Sequence, residues 1–152
     1  METGLHWYQN IAIWSALAAW MVAQTMKMLV TFVETRRIDF SALLSTGGMP
    51  SAHSAMVCGL ATAVGIEAGF GTPLFATTLA FAIVVMFDAQ SVRRAAGLQA
   101  RLLNQIVDEL FRNHKFSEEK LAELLGHTRL EVFLGMISGI LVALGVYAYF
   151  GF

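Results

Sequence analysis

Residues 11–33 read IAIWSALAAWMVAQTMKMLVTFV, and this stretch decides the fold. Only Gln24 and Lys27 break its apolar run. At a rise of about 1.5 Å per residue, a helix of this length crosses the ~30 Å hydrocarbon core of a bilayer. No basic leader precedes Ile11, so the segment is expected to persist as a permanent span and not to be removed as a signal peptide. Three more apolar segments follow at residues 54–70, 73–87 and 132–152, and each reads as a helix. The middle two are short and reach both interfaces only with their polar ends, Ser51 to His53 and Asp88, which places those ends at membrane depth.

Composition points the same way. The chain is 57% hydrophobic and 14% charged, against about a quarter charged in soluble domains. The expected fold is all-α: a polytopic membrane helical bundle of about four transmembrane helices plus a cytoplasmic amphipathic helix. No Pro- or Ser-rich linker divides the 152 residues, so residues 1–152 read as one domain. A net charge of -1 without a clustered basic surface gives no reason to expect nucleic-acid binding. The one cysteine, Cys58, excludes an internal disulfide and a cysteine-based zinc site, and reads as a small buried apolar residue. The eight methionines show no ligand spacing, so no metal site is expected from them. Oligomeric state is left open, a homo-oligomer included.

Between the third and fourth segments, Val92, Ala96, Gln99, Leu103, Ile106 and Leu110 recur at helical steps and predict the amphipathic helix. A second short helix is expected after Ser117, with Glu119 and Lys120 in its first turn. Gly65-x-x-x-Gly69 and Gly135-x-x-x-Gly139 are spaced to let helices approach closely. Arg36, Arg37, Arg93, Arg94, Arg101, Arg112, Lys115, Lys120 and Arg129 all fall in the two connections that four spans place on one side. The positive-inside rule assigns that side to the cytoplasm. Trp7, Tyr8, Tyr147 and Tyr149 are then expected in an aromatic belt at the outer interface.

Polar residues with chemical potential gather on the cytoplasmic face. Gly47-Gly48-Met49-Pro50-Ser51-Ala52-His53-Ser54-Ala55 sets glycines, a proline and a capping serine before an apolar helix. Unpaired N–H groups and the positive end of the helix dipole make such a start an anion cradle. His53, inside it, can exchange a proton with a bound group. His127 and Glu131 lie four residues apart, so on a helix the carboxylate can hold one ring nitrogen while the other keeps its lone pair outward, as an activated nucleophile requires. Lys27, Arg93 and Arg94 would spread positive charge over a phosphate. Asp88 stands at the same depth, where it can serve the phosphate site or simply cap the next helix. His6 and His114 belong to no motif and read as surface residues.

Taken together, Gly47 to Ala55 and the segment LGHTRLEVFLG at residues 125–135 resemble signature motifs of the type 2 phosphatidic acid phosphatase and vanadium haloperoxidase superfamily. Pro50-Ser51-Ala52-His53-Ser54 is similar to its Pro-Ser-Gly-His motif, and His127 to Glu131 to the His-x-x-x-Asp end of its last motif. Residues 85–100, VMFDAQSVRRAAGLQA, followed by Leu103-Asn104, resemble the divergent bacterial and plastid branch. The resemblance implies an integral protein of a bacterial inner membrane or plastid membrane, acting as a cofactor-free, metal-independent phosphatase through a phosphohistidine. It implies His127 as nucleophile, Glu131 as its orienting partner and His53 as general acid. Gly48, Ser51 and Lys27 would hold the phosphate, with Arg93, Arg94 and Asp88 beside them.

The sequence also departs from the pattern. Leu121 stands where the last motif has an arginine, and Glu34-Thr35 where an arginine–proline pair follows the first-motif lysine. Glu131 is one methylene longer than the usual aspartate. Arg93 or Arg94 would then supply the missing clamp from another helix. The expected partner is a phosphorylated lipid, such as phosphatidylglycerophosphate or phosphatidate, whose tail stays in the bilayer. Alternatives are an isoprenoid diphosphate phosphatase, a non-catalytic lipid-phosphate binder and, more remotely, a small-solute channel.

Overall fold

Small side chains decide which faces of these helices meet. The computed structural model describes residues 7–36, 48–110 and 126–150, and for Trp7, Arg93, Arg94 and residues 108–110 it describes the backbone alone. Gly47, His6, His114, Leu121 and the short helix expected after Ser117 lie outside the described residues.

Helix α1, Ile11–Thr35, starts at Asn10, whose side chain accepts from the Ile13 N–H at 3.2 Å, and ends at Arg36 in the left-handed region with φ 55°. Its inward stripe is Ala12, Ala16, Ala19, Ala23 and Lys27, while Trp14, Met21, Leu29 and Val33 point outward. This inverts the soluble pattern. Lipid tails solvate large apolar side chains as well as a protein core does, so helices associate where small residues let backbones come close.

Helix α2, Ala52–Ala68, is small almost all round and packs against three neighbours: α1, α3 (Pro73–Phe87) and α5 (Arg129–Phe150). A Cβ on Gly139 would run into the Ala55 carbonyl, and one on Gly59 would lie 2.9 Å from Ala19 Cβ. Gly135 and Gly139 thus mark the α2–α5 crossing, as their spacing predicts. Gly65 and Gly69 do something else. The Phe70 ring folds back over Gly65 and stacks edge-on with Phe75 at 5.1 Å, while Gly69 ends α2 with φ 95°. The pair shapes the α2–α3 turn, which closes with Thr72 capping α3 and Pro73 at its first position.

Among the described residues, three helical runs are long and apolar enough to cross a membrane: Ile11–Thr35, Pro73–Val107 and Arg129–Phe150. Helix α2 is a shorter apolar helix of 17 residues, about 25 Å long. The chain is an all-α membrane helical bundle. The apolar run of α3 does not break at Asp88. It passes through a π-helical turn, Asp88–Val92, into α4, Arg93–Leu110. Of the residues expected on one face of α4, Val92, Ala96, Gln99, Leu103 and Ile106 are all exposed. Tyr147 departs from the aromatic belt expected of it: it is buried, and its hydroxyl donates to the Ala63 carbonyl at 3.3 Å. Tyr8 and Tyr149 are exposed.

Ala12 from the start of α1 meets Ala63, Val64 and Tyr147 from the ends of α2 and α5. The opposite end of the bundle therefore gathers the end of α1 with the starts of α2 and α5, and α3 returns to it.

Candidate phosphate site at one end of the bundle

Two helix starts are tied together there. Thr128 and Glu131 form a capping box on α5: the Glu131 N–H donates to Thr128 Oγ1 at 3.3 Å, and the Thr128 N–H to Glu131 Oε2 at 3.1 Å. The Glu131 carbonyl accepts from the Ser51 N–H at 3.0 Å. Ser51 caps α2, its hydroxyl accepting from the Ser54 N–H at 3.4 Å and from the Ser54 hydroxyl at 3.0 Å. Both helix dipoles thus present their positive ends to one region.

His127 lies between these caps, 1% exposed. Its backbone N–H donates to the Ala89 carbonyl in the π turn at 3.1 Å, and its Nδ1 lies 2.9 Å from Glu131 Oε2. A carboxylate that also accepts a backbone N–H acts as acceptor, so Nδ1 carries a hydrogen, and in the neutral ring Nε2 then keeps the lone pair. Nε2 is buried and has no hydrogen-bond partner among the described residues. A buried polar atom left so costs on the order of 1–3 kcal/mol, and a catalytic role is one of the explanations such an atom calls for. The His53 ring stands 6.3 Å from that of His127, centroid to centroid, at 61°.

Lys27 reaches the same region from α1. It is 3% exposed, and its aliphatic stem lies against Gly48. Gly48 has φ 93°, and a Cβ there would lie 3.3 Å from Lys27 Cγ and Cδ. Gly48→Ala should therefore cost about 1–2 kcal/mol, read as a fall of a few degrees in the thermal midpoint of the detergent-purified protein. An unchanged midpoint would show that the Lys27–Gly48 contact is loose.

The structure brings Lys27, Gly48, Ser51, His53, His127 and Glu131 to one end of the bundle. Asp88 is half-buried at the start of the π turn, next to the Ala89 carbonyl that holds His127. Arg93 and Arg94 open α4, their side chains outside the described ones. Arg36 is exposed at the end of α1. Two contributors escaped the sequence reading. Thr128 carried a signal, since Ser/Thr-x-x-Asp/Glu before an apolar run is the capping-box pattern. Ala89 carried none, because its part is played by a backbone carbonyl.

A family model of the divergent PAP2 family matches residues 8–142. The chain belongs to that family. It is also 44% identical, over 93% of its own length and 96% of the relative's, to a Bacillus subtilis (strain 168) protein named "Uncharacterized membrane protein YuiD". No solved structure matches. Every site residue named above lies within the span that matches the divergent PAP2 family.

Proposed function

We propose that this divergent PAP2 protein is a membrane phosphatase that removes a phosphate monoester from a lipid, with its site at the cytoplasmic leaflet. The observation that carries the proposal is the buried Nε2 of His127, without a hydrogen-bond partner among the described residues, whose other nitrogen is held by Glu131. That lone pair attacks phosphorus, the P–O bond to the lipid breaks, and His53 delivers its proton to the departing oxygen. Water then cleaves the N–P bond, with His53 taking a proton from it, and inorganic phosphate leaves. Glu131 favours the imidazolium character that His127 gains in the first step. Lys27 and the N–H groups at the start of α2 offset the charge on the phosphoryl oxygens. The basic connections favour a cytoplasmic opening, and phosphatidate or phosphatidylglycerophosphate fits a site at headgroup depth.

The test is phosphate release from a panel of phosphorylated lipids, including an isoprenoid diphosphate, with a chelator present. Wild-type protein should release phosphate from at least one of them. Glu131→Gln should lower that rate by about 10²–10⁴-fold, because a neutral amide cannot support the imidazolium. Glutamine also serves in a capping box, so the fold should persist, checked by an unchanged thermal midpoint. Lipid co-purification without release by wild type would favour the non-catalytic binder.

A further inference from the structure

Beside the site, residues of α1 and α5 line a cavity of about 380 Å³. Met26 and Val30 form one wall, Leu134 and Ile137 the other, and Met49 with Pro50 closes the end nearest the site. Ser138 contributes the one polar side chain among its lining residues.

Three adjacencies join this cavity to the phosphate site. Met26 precedes Lys27, Pro50 precedes Ser51, and Leu134 lies three residues after Glu131 on the same helix. The cavity extends from Val30 to Val22 along α1, past the depth of Lys27, and from Leu134 to Val142 along α5. Each wall covers nine residues of helix, eight steps or about 12 Å. Met26, Ile137 and Leu141 are exposed on the flank of the bundle, so the cavity opens sideways, toward hydrocarbon, and not toward the aqueous end. An apolar slot of this length and volume suits one extended chain.

We infer that this slot seats one hydrocarbon chain of the phosphorylated lipid while its headgroup occupies the site formed by Lys27, Ser51 and His127. The inference rests on the phosphatase reading and narrows it: selectivity for the lipid tail resides in the α1–α5 slot. Substrates with chains too short to fill the slot gain nothing from it, while long-chain substrates do.

Ile137→Trp fills the slot two to three helical turns from His127. Measured as kcat/KM on dioleoyl and dihexanoyl phosphatidate, the long-to-short ratio should fall at least tenfold. Ile83→Trp, exposed on α3 and not among the slot's lining residues, should leave the ratio as in wild type. A ratio unmoved by Ile137→Trp overturns the inference. The phosphatase reading fails separately, if wild type releases phosphate from neither lipid. In that case labelling by phosphatidate with a photoreactive acyl chain still decides the slot. Labelling should concentrate on Met26 and Ile137 and be displaced by dioleoyl phosphatidate but not by phosphatidylcholine. Uniform labelling of the lipid-facing residues, or equal displacement by both lipids, overturns the inference.

Discussion

His127→Ala should lower phosphate release from the preferred lipid by at least about 10³-fold. The variant should also accumulate no acid-labile phosphoprotein when given lipid carrying labelled phosphate. The imidazole can be removed without dismantling its surroundings. The bond to the Ala89 carbonyl comes from the backbone N–H, which alanine retains, and Glu131 still accepts from the Thr128 N–H. A loss of turnover therefore reads on chemistry, provided the thermal midpoint stays within a few degrees of wild type. His53→Ala should behave differently, losing turnover on lipids yet still forming phosphoprotein from an aryl phosphate, whose leaving group needs little protonation. Release by His127→Ala at the wild-type rate would remove the assigned nucleophile.

Gly135→Ala should destabilise the protein by about 2–3 kcal/mol, a fall of about 5–10 °C in the thermal midpoint. Its Cβ would run into the Ser51 carbonyl and lie 3.0 Å from Ser54 Cβ. The first of these neighbours is backbone, so no side-chain rotation relieves the contact. The start of α2 would have to back away from α5, losing the Ser51 N–H to Glu131 carbonyl bond and parting His53 from His127. Turnover should fall with stability. Gly145→Ala supplies the contrast, because a Cβ there meets nothing within 4 Å. Alanine is intrinsically the better helix former by about 1 kcal/mol, so Gly145→Ala should hold or raise the midpoint. The same sign for both substitutions would show that the α2–α5 crossing is not as close as described.

Much of the site could be read along the chain. His127 and Glu131, read as one turn apart on a helix, do meet, although His127 stands just before α5 and reaches Glu131 beside the Thr128 cap, and Ser51 caps α2 because a serine before an apolar run does so locally. What could not be read depends on elements far apart in sequence. Gly65-x-x-x-Gly69 and Gly135-x-x-x-Gly139 have the same spacing, yet one receives a ring from its own turn and the other a neighbouring helix. Asp88 reads as the end of a helix, but the run continues through a π turn whose Ala89 carbonyl meets His127, 38 positions later. Tyr147 reads as a belt residue until the Ala63 carbonyl comes within reach of its hydroxyl.

From its sequence alone, this protein was bound to the membrane as helices. Transfer of each side chain between water and lipid is a local quantity that adds up along a segment. Only the tertiary structure decided that His127 is buried with Nε2 unpartnered among the described residues, that the His53 ring centre stands 6.3 Å from its own and that Lys27 lies on Gly48. Those relations come from how closely the helices cross, and that closeness is fixed by which small residues face one another in space.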